Sequence, residues 1–123
     1  MVMLDNTALE AARHYHRERE ARAYARRERE RQEWLHRVRE AAARLAPHYP
    51  EVHRVYLFGS LTQAGRFRGS SDIDIAVECD TVAAESAFWR ALEKALQRDV
   101  DVRPLTGVVM EAVIATGELL YER

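Results

Sequence analysis

A single cysteine, Cys79, leaves no partner for an internal disulfide, and such sparing use fits a reducing cytoplasm. No apolar run approaches the roughly 18 to 20 residues that a bilayer span requires. The opening Met1-Val2-Met3-Leu4 is too short for a signal-peptide core before Asp5. Net charge is missing too: 32% of residues are charged, but the signs cancel to a formal charge of -1. A whole-molecule basic field for nucleic acid is thereby excluded, although a local basic face is not. Together these absences lead us to expect a soluble, cytoplasmic protein without membrane association. The 123 residues make one domain's worth of chain, 47% apolar, enough for a real core.

Glycine and proline are absent from residues 7 to 46, where Ala, Arg and Glu dominate; all three are good helix formers. Thr7-Ala8-Leu9-Glu10 reads as a capping box that starts this helix, and Pro47 and Pro50 end it. Trp34, Leu35, Val38, Ala42 and Leu45 recur at helical spacing and predict that the C-terminal half docks on a core. Upstream, Tyr15, Ala23 and Tyr24 form only a thin stripe among arginines. The N-terminal half is therefore expected to project. Its charge run reads first as a solvated face held by i,i+4 Glu–Arg pairs, with a partner-binding arm as the alternative. The domain reading is a helical extension over 1–50 followed by a catalytic domain over 51–123.

Beyond Pro50 the pattern becomes α/β. Val52 to Phe58 reads as a strand ended by Gly59. Leu61 to Ala64 reads as a short helix and Gly65 to Ser71 as a polar loop. Asp72 to Glu78 is a second strand with Ile73, Ile75 and Val77 on one face. A helical stripe runs from Ala83 to Leu96, and Val100 to Leu105 forms a third strand that Pro104 places at an edge. A last helix over Val108 to Ala115 precedes Gly117 and a short apolar tail, Leu119-Leu120-Tyr121.

Strand alternation puts Asp72 and Asp74 on one face, opposite the isoleucines. Paired carboxylates repel, which raises a pKa or demands a cation, and their hard oxygens suit magnesium or manganese beside substrate phosphates. On the third strand Val100 and Val102 face inward while Asp99, Asp101 and Arg103 face the other way. If the strands are neighbours, Asp101 joins the pair, and three carboxylates can hold two metal ions. Asp101 can also take the proton of an attacking hydroxyl. Gly59 lets backbone approach phosphate, and Ser60 opens the short helix, whose N-terminus favours anions. Arg66 and Arg68 can neutralise phosphate charge.

The order Phe58-Gly59-Ser60, then Ser71-Asp72-Ile73-Asp74-Ile75-Ala76-Val77, then Val100-Asp101-Val102, resembles the DNA polymerase β-like nucleotidyltransferase superfamily. The likeness is nearest to its minimal nucleotidyltransferase branch and covers about residues 52 to 121. It implies an α/β (α+β) nucleotidyltransferase fold, a small mixed sheet flanked by helices. It also implies that Gly59 and Ser60 bind the triphosphate of ATP, with Ser71 at the head of the second motif among the nucleotide-binding residues. Asp72, Asp74 and Asp101 would bind Mg²⁺, two ions being usual. Eleven residues, Leu61 to Ser71, separate the serine from the first aspartate, where the family usually has ten. Asp99 stands as runner-up to Asp101.

In that branch such domains often occur as antitoxins that adenylylate a tyrosine of a HEPN-type toxin. The resemblance thus implies AMP transfer from ATP to a hydroxyl of a partner protein. A small-molecule acceptor, with a homodimer completing the cleft, is one alternative. A catalytically silent antitoxin that only binds is another. A nucleic-acid template is not expected, since no thumb, fingers or basic channel fits this length. His14 and His16, two residues apart on a helix, point in different directions, and His36, His48 and His53 lack zinc spacing. Trp89 reads as a packing residue rather than the wall of an adenine pocket.

Overall fold

The computed structural model describes residues 5–123; the Met1–Leu4 segment weighed above as a signal sequence lies outside them. Helix α1 spans Asn6–Leu45 and runs into a 3₁₀ turn, Ala46–His48. Strand β1 (Val52–Phe58) leads through a second 3₁₀ turn, Ser60–Thr62, and a loop to β2 (Ile73–Cys79). Helix α2 (Val82–Leu96), β3 (Val100–Pro104), α3 (Gly107–Thr116) and β4 (Glu118–Glu122) follow. The strand order is β3-β2-β1-β4. Strand β1 pairs antiparallel with both β2 and β4, whereas β2 and β3 are parallel, joined by the α2 crossover. This is the small mixed sheet with a long N-terminal helix that the sequence predicts.

One sheet face builds the main core. Val55, Leu57, Ile73, Ile75, Val77, Val100 and Val102 meet Leu35, Val38 and Ala42 of α1 and Phe88, Leu92 and Leu96 of α2. These helical residues are the stripes legible in the sequence, so periodicity and burial agree. Trp34 and Leu45 sit partly buried at the rim. On the opposite face α3 lies against β1 and β2, where Ala76 is completely buried outside that main cluster. The aspartates of β2 and β3 share this second face.

Four expectations require correction. Helix α1 is capped by Asp5, whose carboxylate accepts the Ala8 N–H at 2.7 Å; Thr7 lies inside the helix. Aspartate caps at least as well as threonine, and using it adds helical residues at no loss. The apolar tail is a strand, β4, whose five residues are too few to display a period. Asp72 precedes β2 rather than opening it. The loop expected to be polar carries a core residue, Phe67, only 2% exposed. Pro104 does end an edge strand.

Candidate active site

Register brings the carboxylates together. Asp74 of β2 stands opposite Asp101 of β3 on one side and Phe58 of β1 on the other. Asp101 is thus the residue facing Asp74 across the parallel pair; Asp99 precedes β3 and is exposed. Asp72, exposed just before β2, is near enough to act on Asp74 electrostatically. Burial first, then the charges of Asp101 and Asp72, push the Asp74 carboxyl up to about 6, against a smaller opposite pull from Arg103.

Gly59 shapes the other wall. Its φ of +80° suits glycine, and a Cβ there would fall 2.2 Å from Oδ2 of Asp74. Glycine is therefore required both for the turn and to leave room for that carboxylate. Ser60 opens a turn of only three residues, so the helix dipole that the sequence suggested is not available to an anion. The turn is fixed instead by Thr62, whose N–H and Oγ1 both donate to the Gly59 carbonyl, and by the fully buried Leu61.

The remaining loop candidates divide by geometry. Arg66 is exposed. The Arg68 guanidinium donates to the carbonyls of Gly65 at 2.7 Å and Phe67 at 3.2 Å. Ser71 Oγ accepts the Arg68 N–H at 2.8 Å. Arg68 and Ser71 thus close the loop on itself, while Arg66 points its charge to solvent.

Side chains outside the motifs hold this loop. Phe67 anchors it in the core, and the Arg98 guanidinium lies 5.1 Å from the Phe67 ring centroid. Arg98 also donates to the carbonyls of Gly69 and Ser71. From α1, Glu28 accepts the Gly65 N–H and Arg31 donates to the Leu61 carbonyl. Sequence reading missed all four. Phe67 alone left a signal, being the one apolar side chain between Gly65 and Ser71. Trp89 packs, as expected, with Nε1 donating to the Val100 carbonyl.

Among the described residues no three His, Cys, Asp or Glu side chains converge as a finished ligand set. Asp101 is turned toward Arg103, whose Nε donates to Oδ2 at 2.9 Å. The donor chemistry nevertheless fits a divalent cation. Asp74 is a part-buried carboxylate with two acidic neighbours, a concentration of negative charge that a proton or a cation relieves. Arg103, itself 58% exposed, engages Oδ2 of Asp101, which leaves that carboxylate its second oxygen to offer a cation.

Comparison with known proteins places this geometry. A protein adenylyltransferase, MntA, from Shewanella oneidensis is 35% identical over 83 residues, covering 63% of this chain and 59% of the relative. The chain therefore spans well under two thirds of that relative's length. A chain in the crystal structure of a toxin–antitoxin with AMP-PNP is 30% identical, with a TM-score of 0.56 over 69% of this chain and 73% of that one. A chain in the structure of a tri-AMPylated Shewanella oneidensis HEPN toxin in complex with MNT antitoxin is 27% identical. It has a TM-score of 0.52 over 70% of this chain and 71% of that one. The family model described as polymerase beta, nucleotidyltransferase, matches residues 40–123, which include both motifs and the whole sheet. The chain belongs to the polymerase β nucleotidyltransferase family.

Proposed function

We propose that this chain transfers AMP from ATP to a hydroxyl of a partner protein, as an antitoxin acting on a HEPN-type toxin. The observation that carries the reading is the register of Asp74 against Asp101 beside the side-chain-free Gly59. The similarity to MntA and to toxin–antitoxin structures supports the class of partner. In this reading Gly59 and Ser60 receive the triphosphate, with Arg66 offsetting its charge. Asp72, Asp74 and Asp101 hold Mg²⁺, which when bound would neutralise the triphosphate and the leaving pyrophosphate. Asp101, on the outer strand, takes the proton of the acceptor hydroxyl as its oxygen attacks the α-phosphorus. Residues 51–123 carry this chemistry, α1 is the extension, and the cytoplasm is where ATP and such a partner meet.

The test is transfer of label from ATP, with Mg²⁺, onto a co-expressed HEPN-type partner. Wild type should label it. Asp72→Ala with Asp74→Ala should abolish labelling while the circular dichroism spectrum stays native; a double variant that still labels removes the carboxylates from the mechanism. The Asp101–Arg103 contact favours a second reading, inhibition by binding alone. That reading predicts partner inhibition without label from the wild-type chain. Labelling of a small hydroxylated acceptor and not the protein would move the activity to small molecules.

A further inference from the structure

Helix α1 carries one stripe in which the chemistry changes partway along. Tyr24, Glu28, Arg31, Leu35, Val38 and Ala42 recur at alternating steps of four and three, so all lie on one helix face. From Leu35 onward the stripe is apolar and buried in the core. Its upstream part meets the loop that follows Gly59. Arg31 is 8% exposed, and its Nη1 donates to the Leu61 carbonyl at 3.0 Å. Its Nε donates to both oxygens of Glu28, at 3.2 and 3.1 Å. Glu28 Oε1 in turn accepts the backbone N–H of Gly65 at 2.7 Å. The Tyr24 ring closes the row, with Cε2 3.2 Å from where a Cβ on Gly65 would sit.

These contacts bind a carbonyl inside the Ser60–Thr62 turn and an amide three residues past it. Charge-assisted bonds of this kind are short and directional. Residues 24, 28 and 31 all lie upstream of the family match, which starts at residue 40. The brace thus comes from residues outside the matched domain.

We propose that Glu28 is a positioning residue for nucleotide: with Arg31 it holds the 60–65 turn in the conformation that receives the triphosphate. The proposal rests on the reading of Gly59-Ser60 as the triphosphate site. Glu28 itself touches no phosphate. Preorganisation of this kind acts mainly on nucleotide affinity, because a loosened turn must be ordered again at each binding event.

The experiment uses the full chain and two readouts. Hydrogen exchange reports the amides of residues 61–71, and titration with AMP-PNP and Mg²⁺ reports affinity. Glu28→Ala should speed exchange at Gly65 and weaken AMP-PNP about tenfold, with the far-UV circular dichroism unchanged. Glu28→Gln, whose amide oxygen still accepts the Gly65 N–H, should restore protection and affinity to within about threefold of wild type. Glu18→Ala, on the same helix but away from the loop, should match wild type in both. Unchanged exchange in Glu28→Ala would show that the bond does not restrain the turn and sink the proposal. Faster exchange with unchanged affinity would overturn the positioning role while leaving the nucleotide site standing. Wild type that binds no AMP-PNP would overturn the triphosphate reading, and this proposal with it; that outcome is visible before any variant is made.

Discussion

Asp74 is held at an energetic cost. Its carboxyl is pushed up to about 6, so the folded protein binds this proton more tightly than the unfolded chain does. Stability from this group is therefore fully present below the unfolded value near 4 and falls as pH rises through about 6. The whole shift corresponds to about 3 kcal/mol, and partial solvent contact reduces it to about 1–2 kcal/mol. Asp74→Asn keeps the shape and removes the charge. In nucleotide-free protein it should raise the melting temperature at pH 7.5 by several degrees, with the gain shrinking below about pH 6, and it should abolish transfer. Gly59→Ala should do the opposite. A methyl group there collides with the Asp74 carboxylate at positive φ, so loss of both stability and nucleotide binding is expected, on the order of 2–4 kcal/mol by denaturant melt. At this scale the sequence was most readable, because i,i+2 alternation puts Asp74 and Asp101 on the sheet face away from the core, although Asp72 falls just before β2. What Gly59 makes room for was not readable, since the contact joins the residue just after β1 to Asp74 of β2, and the register of those strands is set only on folding.

The loop between Ser60 and Asp72 shows where local reading stops. Every element around it was legible from propensity or period, but Phe67 stood in a run of arginines and glycines and read as polar. Its burial and the grip of Arg98 make the loop an ordered element with its own anchor. Phe67→Ala should cost about 3–5 kcal/mol and raise hydrogen exchange across residues 63–71 more than across α2. Strand β4 was missed for a different reason: it gains its identity from pairing with β1, and a five-residue Glu-Leu-Leu-Tyr-Glu segment has no periodicity to betray that.

For the molecule as a whole, the family boundary and the physical core do not coincide. The match begins at residue 40, yet Leu35 and Val38 are buried in the same cluster as the sheet. A chain begun at residue 40 should lose about 2–4 kcal/mol for each of these side chains removed and fail to give a cooperative melt. A chain begun at residue 23 should melt within a few degrees of the full protein, because residues 10 to 22 are exposed throughout. Apolar periodicity predicts docking only from Trp34 onward. Arg31 and Glu28 extend it by another two turns, invisible beforehand because charged residues on a helix normally face water.

The continuous stripe on α1 also makes the spacing between Arg31 and Leu35 a matter of phase. Each residue added there turns the upstream helix by about 100°. One inserted alanine would carry Glu28 and Tyr24 a quarter-turn or more around the axis, away from Gly65, while Leu35 and Val38 stayed seated. Seven inserted residues would return the same face to within about 20° of its bearing, but slide it about 10 Å along the axis, out of reach of the loop. The helix can tolerate drift in its exposed sequence, but not in its count.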